Sequence, residues 1–176
     1  MELKEVIKKR RSIRKYKEKD IDENIINSII EAGRLSPSAK NVQPWKFYIA
    51  KKEIKNKIAD LMIDYHKNNP INTYGMFTTA TVIKQAPVLI LVFKDSDNNF
   101  DRNDALSIGA CIQNMLLTAT DLNVGSLWIA ATFNVREKIS KLVNTNLELY
   151  SVIAIGHSDE NPEARPRKPF DNLFLN

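Results

Sequence analysis

Apolar residues recur along this chain with two periods, and each run ends at a recognisable stop. Leu3, Val6 and Ile7 sit at helical spacing up to Arg10, which predicts a short amphipathic helix over residues 2–10 that ends before a Ser-containing turn. Ile25, Ile26, Ile29, Ile30 and Ala32 predict a second helix over residues 23–34, with Asp22 as N-cap and Gly33 and Pro37 marking its end. Residues 36–44 have no apolar period and hold two prolines, so they read as loop. The aromatic-rich run Trp45 to Ala50 predicts a strand, and Ile54, Ile58, Leu61, Met62 and Tyr65 continue it into a helix. Residues 68–74, with Pro70 among them, are the candidate mobile connection, conceivably a lid.

The run Pro87 to Phe93 is short, continuously apolar and rich in β-formers, which predicts a buried strand. Residues 104–122 predict the longest helix, with Ile108, Ile112, Met115, Leu116, Ala119 and Leu122 on its apolar stripe. Ala105, Gly109 and Ala110 on it would admit close approach either by another helix of the same chain or by a partner subunit. A strand over 124–131, a helix capped by Asn134 and running to Val143, and a last strand over 149–156 complete the pattern. The tail holds Pro162, Pro166 and Pro169 and ends in Phe170, Leu173, Phe174 and Leu175, too apolar a set to float freely. Strands alternating with helices predict, by themselves, a parallel α/β sheet.

Composition narrows the function classes. A chain of 176 residues, 43% hydrophobic, is long enough for one sizeable core, so one domain over residues 1–176 is expected. No basic start leads into an apolar run and no apolar stretch has spanning length, so a soluble, cytoplasmic protein without a membrane partner is expected. The lone Cys111 forbids an internal disulfide, and with His66 and His157 it makes no compact set of metal ligands, so no metal site is expected. A net charge of +5 could suit nucleic acid, but the cations are interspersed with acids and lack an aromatic-interleaved stripe, so no nucleic-acid partner is expected. Only the ends are locally basic, with Lys8, Lys9, Arg10, Arg11, Arg14 and Lys15 near one and Arg165, Arg167 and Lys168 near the other. Each cluster could be a solvated face, or the two together could grip a phosphate.

The glycine loops that cradle phosphate (G-x-G-x-x-G, G-x-x-x-x-G-K-[ST]) and the G-x-S-x-G elbow are all missing. A phosphate would therefore be held by charged side chains, and the planar fork of Arg suits that task. Arg10-Arg11-Ser12-Ile13-Arg14 offers such donors within one short segment.

That segment, followed by Ser36-Pro37-Ser38-Ala39-Lys40-Asn41-Val42-Gln43-Pro44-Trp45, resembles the two N-terminal signatures of the nitroreductase family of FMN enzymes. The resemblance extends through Gly109-Ala110-Cys111-Ile112-Gln113-Asn114, Val124-Gly125-Ser126-Leu127-Trp128-Ile129 and Ala154-Ile155-Gly156 to Arg165-Pro166-Arg167-Lys168-Pro169. It implies an α+β fold with a mostly antiparallel central sheet flanked by helices, and a tail exchanged with the partner of a homodimer. It also implies an oxidoreductase in which NADH or NADPH gives hydride to flavin N5 and a small aromatic or quinone-like acceptor then takes the electrons. Arg10, Ser12 and Arg14 match positions holding the FMN phosphate, ribityl chain and pyrimidine edge, with Arg11 beside them and Arg167 or Lys168 closing from the tail. Pro37, Ser38, Ala39 and Asn41, with Gln43 nearby, match the loop packing on the flavin from the second subunit. Ile129, Ala130 and Ala131 match the segment near N5. Thr78 to Lys84 departs from the family pattern, so Lys84 is left out of the site.

Other side chains read more simply. Cys111 lies on an apolar stripe and reads as core, as do Trp45 and Trp128, the latter also close enough in sequence to line the site. His66 and His157 read as surface or loop, and Asp121 and Glu137 as a solvated face.

Overall fold

The uninterrupted apolar run forms strand β2 (Val88–Lys94), which is apolar from Val88 to Phe93 because both of its faces are covered there. Leu89, Leu91 and Phe93 enter one core layer, and Val88, Ile90 and Val92 enter the other. The computed structural model that shows this describes residues 1–73, 75–96 and 101–175. The sheet has the order β1-β2-β4-β3, with β1 at Trp45–Lys51, β3 at Gly125–Ile129 and β4 at Glu148–Gly156. Helices α3 (Lys52–Asn68), α4 (Met76–Gln85) and α6 (Arg136–Leu142) supply residues to the first layer. Helices α2 (Glu23–Arg34) and α5 (Asp101–Asp121) supply the second. Short helix α1 (Leu3–Lys9) precedes them and buries Val6 while leaving Leu3 and Ile7 exposed.

Every strand pair is antiparallel, which corrects the parallel sheet that strand–helix alternation predicts and agrees with the α+β fold implied by the resemblance. Two features explain the difference. Between β1 and β2 the chain makes a packed pair of helices, α3 and α4, which returns it to the end of the sheet it left; a single crossover helix would have carried it back to the start. The unit β2-α5-β3 does join strands of one direction, but β4 inserts between them and pairs with both.

Helix α4 is not among the elements the pattern predicts. Thr78, Thr79, Thr81, Val82 and Ile83 lower its intrinsic preference for helix, and it is held by burial of Met76, Ala80 and Ile83 in the layer it shares with α3. By contrast α2 has the predicted bounds, and the Asp22 carboxylate accepts the Asn24 N–H at 2.7 Å. Asn134 does not cap a helix: it lies in a 3-10 turn, Phe133–Val135, that tightens as Val135 buries, and α6 begins after it without a side-chain cap. The predicted connection 68–74 contains a 3-10 turn at Pro70–Asn72, and Tyr74 lies outside the described residues. Thr73 beside that turn is buried, donating to the Asn69 carbonyl at 2.8 Å and standing 2.5 Å from half-buried His66 Nδ1.

Close helix approach occurs at Gly33. A Cβ there would stand 2.8 Å from Met115 Cγ and 3.0 Å from Cys111 Sγ on α5. At Gly109 a Cβ would meet the Trp128 ring at 3.9 Å, and Ala105 is exposed, so these two small residues of α5 do not serve to admit α2. Trp45 is core as expected, but Trp128 is 44% exposed, because its strand is the sheet edge. In the apolar tail the Phe170 and Phe174 rings meet edge-on at 5.3 Å, and both are largely exposed.

Candidate functional site

The arginine segment is placed by its neighbours rather than by a helix. At the end of α1 the Arg11 Nη1 donates to the carbonyls of Lys8 at 2.6 Å and Arg10 at 2.8 Å, a cation on the last turn where the helix leaves carbonyls unpaired. Ser12 then lies parallel to Ser126 of β3, and the Ile13 N–H donates to the Ser126 carbonyl at 3.0 Å. Extended backbone alternates its side chains, so Ile13 goes into the core while Ser12 and Arg14 line a cleft. Tyr16 is buried and its hydroxyl donates toward the carbonyls of Ile13 at 2.9 Å and Ala154 at 3.3 Å, anchoring the segment on β4.

Residues 15–17 pair with residues 157–159, through Lys17 N–H to the His157 carbonyl at 2.9 Å and Asp159 N–H to the Lys15 carbonyl at 3.0 Å. From there the tail turns back over the arginines. The result is a cleft of about 460 Å³ lined by Lys8, Arg10, Arg11, Ser12, Arg14, Arg165 and Arg167, with Glu163 also on its wall. Two stretches far apart in sequence thus meet as one cationic surface, and Lys168 lies exposed just beyond it. Burial, then the neighbouring charges of Arg167 and Arg11, holds the Arg10 pKa below its ordinary value. Among the described residues none of Arg10, Arg11, Arg14, Arg165, Arg167 or Lys168 pairs with a carboxylate. Gathering cations around half-buried Arg10 is costly unless an anion joins them.

Orphaned polar atoms sit at the same junction. The buried atoms Arg11 Nε and Ser126 Oγ have no hydrogen-bond partner. Buried polar groups are almost always satisfied, so such atoms, where the arginine segment meets β3, mark a place where ligand or water is expected. The residues present therefore fit a phosphate-bearing group such as FMN: forked donors, a hydroxyl at Ser12 and a cleft open to solvent.

The second set of predicted residues lies elsewhere on the protomer. Pro37, Ser38 and Ala39 line a separate recess of about 300 Å³ against Asn103, Leu106, Ser107 and Ala110 of α5. Asn114 Nδ2 donates to Ser36 Oγ at 2.7 Å, pinning the start of the loop, and the Gln43 N–H donates to Ser38 Oγ at 2.9 Å, closing it. Asn41 and Gln43 are exposed, with left-handed φ of 55° and 52° that non-glycine residues seldom adopt. The cleft and the recess share no lining residue. Ile129 is buried in the core, whereas Ala130 is exposed and Ala131 half-buried where the chain leaves β3. Because the Ser126 carbonyl faces Ile13 and away from β4, alternation turns the main-chain groups of Trp128 to the same open edge.

Sequence reasoning missed several contributors. Ser107 and Glu160 each hold a site segment, Ser107 Oγ standing 3.4 Å from the Ala39 N–H, yet a serine in a helix and a glutamate in a polar tail carry no signal of their own. Cys111 is core, as expected, and burial pushes its thiol up to about 12, far from a nucleophile. Lys84, left out of the site, pairs with Asp60 at 2.7 Å. No cluster of three or more metal-ligating side chains exists among the described residues, and no helix of theirs is long and apolar enough to cross a membrane.

Known proteins resemble this chain along nearly its whole length. A protein of Methanothermobacter thermautotrophicus, provisionally named NADH dehydrogenase/NAD(P)H nitroreductase, is 29% identical over 99% of this chain and 87% of its own. A Desulfovibrio desulfuricans protein, provisionally described as a nitroreductase and solved in complex with FMN, superposes with a TM-score of 0.83 at 27% identity, covering 100% of this chain and 96% of that one. A BluB-like flavoprotein of Clostridium difficile superposes with a TM-score of 0.82 at 26% identity, covering 99% and 98%. The sequence profile of the nitroreductase family matches residues 7–157, so the chain belongs to the nitroreductase family.

Proposed function

We propose that this protein is an FMN-dependent oxidoreductase that takes electrons from NADH or NADPH and passes them to a small acceptor of the nitroaromatic or quinone class. The observation that carries the reading is the convergence of Arg10, Arg14 and Arg167 on one cleft, with no carboxylate partner among the described residues. Family membership and the likeness to an FMN-bound relative supply the class of activity.

Bound in the cleft, FMN would supply the two-electron chemistry through N5, so no proton-transfer triad is required of the protein. Arg10 and Arg167 would hold the phosphate from two sides, with Ser12 as a further donor and Lys168 at the rim. Arg14, directed along the same wall, would place positive charge where the reduced ring system becomes anionic. Main-chain groups of Trp128 on the open edge of β3, with exposed Ala130 just beyond them, would line the reacting edge.

The loop Pro37–Asn41 and Gln43 would complete the site from the partner of a homodimer. Three features support this: the two cavities share no residue, Leu106 is exposed beside the loop, and Leu3, Ile7, Phe170 and Phe174 remain exposed on the single chain. A tail reaching across the two-fold would cover those rings.

Anaerobic addition of NADH and of NADPH to the flavin-loaded protein tests the reading. Bleaching of the flavin absorbance, followed by its return on adding a nitroaromatic or a quinone, is the expected result. Flavin that binds but is bleached by neither nicotinamide would defeat it in favour of a flavin carrier.

A further inference from the structure

A carboxylate stands among these cations without pairing with any of them. Half-buried Glu160 directs Oε1 at the main-chain N–H groups of both Arg14 and Lys15, the second at 3.2 Å. Its own backbone is fixed as well, since Ser158 Oγ donates to the Glu160 carbonyl at 2.5 Å and accepts the Glu160 N–H at 3.2 Å. Ser158 in turn bridges to Tyr16, whose ring is buried. Consecutive N–H groups converging on one oxygen make a small concavity for an anion, and here a side chain of the same protein fills it.

This arrangement does two things. It ties the backbone of Arg14 between an anchored Ile13 and an anchored Tyr16, so the Arg14 side chain has one wall of the cleft to occupy. It also commits a negative charge to main-chain donors, leaving the nearby guanidinium groups available to a ligand. The same residue begins the return of the tail, so the path that delivers Arg165 and Arg167 starts from this clasp.

We infer that Glu160 is a positioning residue of the flavin site, aiming Arg14 and the returning tail at the ligand through the reach of its carboxylate to the Arg14 and Lys15 amides. The inference rests on the FMN reading above. Because reach matters here, an acceptor oxygen at the same distance can replace the carboxylate, whereas a shorter acid cannot. Glu160→Gln keeps the reach and loses the charge; Glu160→Asp keeps the charge and loses a methylene.

The test is FMN titration of flavin-stripped wild type, Glu160→Gln, Glu160→Asp and Glu160→Ala, with amide exchange of Arg14 and Lys15 measured in the flavin-free proteins. Glu160→Gln should bind within about threefold of wild type, while Glu160→Asp and Glu160→Ala weaken by about tenfold, the scale of one lost charge-assisted hydrogen bond. Exchange at the two amides should be fast in Glu160→Asp and Glu160→Ala and slow in Glu160→Gln. Glu160→Asp binding better than Glu160→Gln, or all variants matching wild type, would overturn the inference and leave the flavin reading intact. Wild-type protein that takes up no FMN would overturn both.

Discussion

In the cationic cleft the backbone is pinned by the core, with Ile13 and Tyr16 buried and their main chain bonded to β3 and β4, whereas the Pro37–Gln43 loop is exposed and held mainly by its own serines and α5. The cleft gathers charge at an electrostatic cost; the loop stores its cost in left-handed backbone. That contrast shows how two surfaces of one fold can be prepared differently, one held in position with its cations gathered, the other exposed and strained in conformation.

The largest effect should come from the cleft. Arg10→Ala removes a half-buried guanidinium, the proposed donor to the phosphate, and should weaken FMN binding on the order of 30-fold, as expected for about 2 kcal/mol of charge-assisted bonding. The flavin-free protein should respond in the opposite direction. Arg10 has its pKa lowered by burial and by Arg167, so its charged form is disfavoured there, and Arg10→Met should leave the flavin-free thermal midpoint unchanged or higher. FMN affinity equal to wild type in either variant would remove Arg10 from the site.

A second intervention reaches the cleft from beneath. A Cβ at Gly156 would fall 2.6 Å from Tyr16 Cδ1 and 2.6 Å from Pro87 Cδ, so Gly156→Ala must displace the ring that anchors the arginine segment. Overpacking of this kind costs about 1–3 kcal/mol. Thermal unfolding and FMN titration should fall together in this variant. A stable protein with weakened FMN binding would show that the segment moves freely over the core, contrary to the bonding of Tyr16.

Much of this was legible in the sequence, and the omissions have physical causes. Val88 to Phe93 declares a doubly covered strand because no other environment tolerates so many apolar residues in a row. Arg10 to Arg14 stood out because it concentrates forked donors in a chain without a phosphate-cradling glycine loop, and the structure brings those side chains to one cleft. Helix α4 was hidden because its threonines and β-branched residues oppose helix locally, and only packing against α3 selects it. Trp128 was misjudged since strand order decides whether a large residue meets core or solvent, and strand order is a long-range property. Glu160 matters through two backbone amides, to which composition and periodicity are blind.

The smallest effect belongs to the loop, and it is the one that decides whether the two regions work together. Asn41 is exposed with φ of 55°, so Asn41→Gly relieves left-handed strain while loosening the unfolded chain, and the two should cancel to within about 0.5 kcal/mol in unfolding. FMN binding should still weaken, by roughly fivefold, the scale of a single neutral hydrogen bond. If arginines from one subunit and the loop from the other build each site, a mixed dimer of Arg10→Ala and Asn41→Gly chains carries both defects in one site and neither in the other. Random exchange between the two variants should then restore wild-type affinity to about one quarter of all sites, from half the dimers being mixed. If both groups served the same protomer's flavin, no mixture would contain an intact site, and the titration would stay a sum of the two weakened variants.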